Sequence, residues 1–397
     1  MKRFFFHDPY LLIYGFVIVF FGSYGQTFYI ALFNEDIRNF YNLTDGQFGF
    51  VYAVATLVSS FLFINFAKLI DKIELRIYST LIIIGLALAC IGFNFIFDNI
   101  IHLFIILFLL RFFGQGAMTH AGSTSMARYF SDDRGKAISV ATLGGMLGIM
   151  LIPKLVVSLQ TFLDFKSIWF YSAISLLLLI PFVSILLFDQ KNRDVILLKN
   201  IEDKQVHKHW TITQILTDRV FFIYFPLALS SPFIGTGLIF HQIFIFDSKG
   251  WSIEMLGDGY LIFGLCSIFG LIIGGPLIDK INTKRAIPFV LVPLLISVFI
   301  LFFFNSYFAF VIYMSLFGFN LGLSAPFMGS LWAEIYGVKS IGTAKALLHG
   351  VGVFASALSP VIFGYAIDWG FGIVAIFLIS SIMIIVSAVL PLSLIHI

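Results

Sequence analysis

The stretch Ala67-Lys-Leu-Ile-Asp-Lys-Ile-Glu-Leu-Arg76 lies between two long apolar runs, and 208 residues further on Gly275-Pro-Leu-Ile-Asp-Lys-Ile-Asn-Thr-Lys284 stands in the same setting. The shift places Leu69 on Leu277 and the pair Asp71-Lys72 on Asp279-Lys280. A shift of 207 carries the register onward, putting Tyr129 on Tyr336, Gly135 on Gly342, Ala137 on Ala344, Gly145 on Gly352 and Pro153 on Pro360. Self-similarity over half the chain means two homologous halves. In a membrane protein, two such halves with a solute path between them is the arrangement of many secondary transporters.

The residues around these two stretches fix the medium. The chain is 60% hydrophobic and 11% charged, with a mean hydropathy of +1.01, against about 25% charged residues in soluble domains. Apolar runs of about 20 residues, the length that crosses a bilayer, recur throughout. Twelve spans are expected: 11–33, 48–66, 77–97, 101–127, 136–159, 166–188, 219–246, 256–278, 286–304, 306–333, 341–365 and 371–395. The runs are continuous and rich in Leu, Ile and Phe, which excludes a barrel of short alternating strands. The fold class is therefore an all-α polytopic membrane protein with two six-helix halves, 1–188 and 219–397, joined by a polar linker at 189–218. The first run has no small-residue cleavage site and reads as a retained span rather than a signal peptide. The fifty Phe are expected mainly on lipid-facing surfaces.

Charge gives the orientation. The loops on the side of the termini hold 19 of the 24 Lys and Arg, and the opposite loops hold only Arg38, Lys166 and Lys249. By the positive-inside rule both termini and the linker face the cytoplasm, in a bacterial-type inner membrane. Cys90 and Cys266 both fall inside apolar runs, so neither a disulfide framework nor a CxxC metal site is expected.

With these features in place, the chain resembles the major facilitator superfamily over nearly its whole length. The loop after span 2 is similar to that family's signature loop, Gly-x-Leu-x-Asp-Arg-x-Gly-Arg-Arg, through Leu69, Asp71, Lys72 and Arg76, with Ala67 and Glu74 where glycines are usual. The copy after span 8 follows it more closely through Gly275, Leu277, Asp279, Lys280, Lys284 and Arg285, with Asn282 in place of the second glycine. The resemblance implies gating roles for Asp71, Arg76, Arg134, Asp279, Lys280 and Arg285, the two carboxylates latching one state of the cycle. Arg111-Phe-Phe-Gly114-Gln115-Gly116 and Arg128-Tyr-Phe-Ser-Asp-Asp-Arg134-Gly135-Lys-Ala137 are similar to spans 4 and 5 of the branch that contains monocarboxylate and oxalate–formate carriers. Drug/proton antiporters of the family carry Gly-Pro within span 5, whereas here Ile-Met-Leu-Ile separates Gly148 from Pro153.

Two cations, Arg111 and Lys154, sit well inside spans, where burying one costs at least about 2.5–3.5 kcal/mol. Arg111 lies roughly 12–15 Å deep at 1.5 Å per residue. At 100° per residue Gln115, Met118, Gly122 and Ser125 share its face and His120 points away. A guanidinium there can hold a carboxylate bidentately; the bland alternative ties it to backbone carbonyls. Lys154 lies nearer a span end and can snorkel. Interior polar residues of spans 1, 7 and 10 add Gln26, Tyr29, His241 and Asn320 as solute-contact candidates, each with an alternative role as an interhelical hydrogen bond. His120, His241 and His349 lie within spans and could carry a coupling proton, with His120 and His349 the leading candidates.

The sequence holds no GxxxxGK[ST] phosphate loop, HExxH or Gly-x-Ser-x-Gly, so neither ATP-driven pumping nor hydrolysis has local support. The expectation is a non-enzymatic secondary transporter, working as a monomer in the bilayer, without cofactor, metal or nucleic acid. Its solute is a small organic molecule moved by alternating access, first a monocarboxylate-like anion with a proton. A neutral solute such as a sugar, or efflux of a drug or metabolite, is the alternative. A sensor or scaffold that does not transport is more remote.

Overall fold

The computed structural model describes residues 8–95, 99–130, 133–190, 193, 212–280, 290–336 and 341–392. Helix dominates and no strand occurs among them, as the bilayer requires, because a helix satisfies its own backbone groups without water. Among the described residues ten helices are long and apolar enough to cross: Asp45–Asp71, Leu75–Gly92, Ile100–Tyr129, Arg134–Leu159, Phe165–Leu186, Arg219–Phe240, Ile253–Leu277, Tyr307–Tyr336, Gly350–Asp368 and Gly372–Pro391. The pair Pro9–Gly25 and Thr27–Tyr41, bent by 43°, supplies span 1, and the shorter Val292–Phe303 stands at span 9. These segments follow the order of the twelve expected spans.

Several boundaries differ from the sequence reading, span 1 running on to Tyr41 and span 8 starting at Ile253 among them, and two more lie at the ends of spans 2 and 7. Span 2 begins at Asp45, not at 48. Its start is a capping box, with the Thr44 N–H donating to Gln47 Oε1 at 3.0 Å and the Gln47 N–H to Thr44 Oγ1 at 3.3 Å, a signal legible in Thr44-Asp-Gly-Gln47. Span 7 stops at Phe240 rather than 246; the chain turns at His241 and a separate helix, Gln242–Lys249, follows.

Two compact units divide the chain, one of Met1–Tyr41 with Val54–Gln205 and one of Asn42–Ala53 with Val206–Ile397. In the first, span 1 packs on span 5 and span 3 on span 6; in the second, span 7 packs on span 11 and span 9 on span 12. The same pairings thus recur in both, as homologous halves require. Backbones approach closely at small residues, the usual device between helices in lipid. A Cβ on Gly322 of span 10, for example, would fall 1.8 Å from Ser267 O of span 8.

Phenylalanine serves two ends. Phe61, Phe162 and Phe308 are at least 70% exposed, an apolar surface of the kind that needs a partner such as lipid. Many others are interior. Phe33 and Phe93 close around Trp169, with ring centroids 5.2 and 4.8 Å away, so the assignment of phenylalanine mainly to the lipid face covers only part of its use.

Candidate functional site

Span 1 does not run straight through the bilayer as one helix. The α-helix Pro9–Phe21 tightens into a 3-10 turn at Gly22–Gly25, Gln26 is extended at φ −85° and ψ 155°, and helix resumes at Thr27. No proline lies at the break. The break lies at a close backbone contact, where a Cβ on Gly25 would lie 2.1 Å from Leu110 O and 2.7 Å from Gly114 Cα. Span 4 is irregular at the same level, widening into a π-helix over Leu110–Met118. Such widenings concentrate at functional positions.

Arg111 occupies this junction and is 2% exposed. Its Nη1 donates to Gly25 O at 3.1 Å, the carbonyl at the end of the 3-10 turn, and to Thr27 Oγ1 at 3.4 Å beyond the break. Gln26 lies between these two residues and Gln115 lies within the π-helical stretch, both half-buried. Two of the residues expected to share a face with Arg111, Met118 and Gly122, pack against span 1. Met118 meets Gly22, and a Cβ on Gly122 would come within 3.0 Å of Gly15 O. The π-helix has more residues per turn than the 100° rule assumes, and small residues on both helices draw the backbones together. His120, half-buried, has its ring edge-on to Phe63 with centroids 5.5 Å apart and Thr124 Oγ1 beside Nδ1 at 3.2 Å.

Tyr29 and Asn320 are used within the protein. Tyr29 is fully buried, its hydroxyl 2.5 Å from Ser172 Oγ and its ring edge-on to Trp169. Asn320 Nδ2 donates to Val290 O at 2.8 Å. Both match the interhelical-bond alternative for interior polar groups. His241, 1% exposed, has Nε2 3.0 Å from Pro360 O and Nδ1 3.5 Å from Asp45 Oδ1. Asp45, placed before span 2 in the sequence reading, was therefore not among the site residues named there.

At the other end of span 2, Asp71 pairs with Arg128 Nη2, and Arg128 Nη1 donates to Ile70 O at 3.1 Å. Arg128 lies in the last turn of the helix Thr119–Tyr129 and is the loop's cationic partner that sequence reasoning missed. Arg76 is exposed, and Arg134 is exposed with Nε donating to Ala127 O at 3.0 Å. Asp279 and Lys280 lie on helix Ile253–Lys280 and His349 on helix Ile341–Asp368, but their side chains, and Arg285 altogether, lie outside the described residues. Beyond the spans, Lys249 donates to Phe302 O at 3.2 Å, and burial lowers its ammonium pKa from the ordinary value.

The sequence model of the Major Facilitator Superfamily matches residues 15–257 and 236–397. The chain belongs to that family of membrane transporters. Similar solved structures are those of a bacterial homolog to the human lysosomal transporter Spinster. The inward-facing, occupied form is 16% identical, with a TM-score of 0.68 over 98% of this chain and 97% of that one. The inward-facing, unoccupied form is 15% identical, with a TM-score of 0.62 over 98% and 95%. At this identity the likeness is one of fold. No curated protein matches the chain.

Proposed function

We propose that this transporter carries a small organic anion of the monocarboxylate type by alternating access, together with a proton, across a bacterial-type inner membrane. The observation that supports it is Arg111, a permanently charged group held where span 1 breaks and span 4 widens. A carboxylate arriving there would meet a guanidinium whose planar fork suits it, with Gln26 and Gln115 as neighbouring donors. The break gives this place a means to change shape, since unwound backbone in transporters is tolerated where it lines a solute path.

Asp71 and Arg128, with Arg76 and Arg134 nearby in the chain and Asp279, Lys280 and Arg285 in the repeat, form the gating set of this reading. The termini and linker face the cytoplasm. A reporter fused after Ile397 that is active only on the cytoplasmic side agrees with that orientation, and one active only outside reverses it.

The deciding experiment is uptake by proteoliposomes of a carboxylate panel, with and without an imposed pH gradient. Accumulation of one carboxylate class driven by the gradient is the expected result. Uptake confined to neutral solutes would replace the anion reading.

A further inference from the structure

The helix Arg219–Phe240 stops against a polar cluster built from three span ends. His241, the residue after it, puts Nε2 3.0 Å from Pro360 O. A carbonyl only accepts, so Nε2 carries a hydrogen. Nδ1 faces Asp45 Oδ1 at 3.5 Å. With Nε2–H set by Pro360, a neutral ring presents a lone pair at Nδ1, and an ionised carboxylate also only accepts. Two acceptors would then face each other in a place where the ring is 1% and Asp45 8% exposed. One added proton, on the ring or on the carboxylate, converts this opposition into a hydrogen bond or an ion pair.

The same residues hold the span ends together. Asp368, the last residue of its helix, accepts the N–H of Asp45 at 3.1 Å, the N–H of Gly46 at 2.9 Å and the Thr44 hydroxyl at 2.7 Å. It thereby supplies a carboxylate to the N-terminus of span 2, where the helix dipole favours one. Apolar cover comes from Phe48 and Tyr52, whose ring centroids lie 5.0 and 4.7 Å from that of Phe240. The Pro360 carbonyl is pressed against Gly49, where a Cβ would lie 2.3 Å away. The titratable groups beside the pair are Asp368, which accepts the Asp45 N–H, Tyr365, which lies against Gly46, and Tyr52, whose ring lies against Phe240. Asp247 and Lys249 follow on the next short helix, and span 12, which also packs on span 7, carries none over Gly372–Leu392.

We propose that Asp45 and His241 together form a binding site for one proton, and that the bound proton closes a clasp joining the ends of spans 2, 7 and 11. Asp45, His241, Pro360 and Asp368 all belong to the second unit. The inference rests on the transport reading above and assigns the coupling proton to this pair rather than to His120 or His349.

The test uses the full-length protein with Cys90 and Cys266 replaced by Ser and spin labels on Phe50→Cys and Trp369→Cys, read without solute. From about pH 5 to about pH 8, the range in which histidine side chains change charge, the label separation is expected to lengthen in the otherwise unaltered protein. In Asp45→Asn the amide can donate to Nδ1, so the short separation should persist at every pH. In His241→Gln the bond to Pro360 O can be kept but the titration is lost, and the pH response should vanish. A pH response equal in all three proteins, or none in the unaltered one, overturns the proposal. Because no solute is present, this result stands or falls independently of the carboxylate uptake experiment.

Discussion

Arg111 in the first unit and His241 in the second are both buried basic side chains next to a backbone carbonyl, Gly25 O in one case and Pro360 O in the other. Their surroundings differ in one respect that decides their use. Arg111 carries a charge that cannot be removed. His241 faces a carboxylate, and its charge depends on one proton. A fixed charge suits a site that waits for an anion, and a removable one suits a site that responds to pH. Burial alone does not distinguish the two; the chemistry of the side chain and its second partner does.

The strongest way to break this comparison is to remove the fixed charge. Arg111→Ala should nearly abolish carboxylate binding, a loss of about 3–5 kcal/mol if the pair is buried, and Arg111→Lys should restore part of it. Calorimetric titration of the purified protein checks this. Unchanged binding would make Arg111 a packing residue and bring the neutral-solute alternative forward.

A smaller effect tests whether the break in span 1 is part of the anion site. Gly25→Ala puts a methyl group 2.1 Å from Leu110 O, and Gly322→Ala puts one 1.8 Å from Ser267 O. Each should lower stability by about 1–3 kcal/mol through overpacking, seen as a lower unfolding midpoint in detergent. Only Gly25→Ala should also weaken solute binding, because only that residue holds Arg111.

Smaller again is Asp368→Asn. It keeps the size of the cap while removing its charge from the start of span 2, and should cost about 1 kcal/mol, read from the same unfolding curves.

The smallest thermodynamic effect belongs to the exposed pair. Asp71→Asn and Arg128→Gln should each change stability by only about 0–1 kcal/mol, yet slow turnover in proteoliposomes while leaving solute affinity in place. His120→Ala, whose ring lies against Phe63, should leave affinity within a few-fold. Unaltered turnover in both loop variants would remove the latch role.

The helical spans, their order and the internal repeat were legible in the sequence, because hydropathy and periodicity are local properties and lipid leaves the backbone few options. The start of span 2 was legible too, in the capping box Thr44–Gln47, although the apolar run alone placed it three residues late. What only the tertiary structure decided is where helices depart from regularity and which distant side chains meet. Nothing local to Gln26 marks where span 1 breaks, and it is the close approach of Gly25 to Leu110 and Gly114 that brings Gly25 O to Arg111. Tyr29 and Asn320 look like solute contacts on a helical wheel, but Ser172 and Val290 take up their polar groups. Asp45 and His241 become partners only because the ends of spans 2, 7 and 11 pack together. A local pattern specifies which face of a helix is polar, whereas the backbone approach set by small residues elsewhere in the chain determines what that face touches.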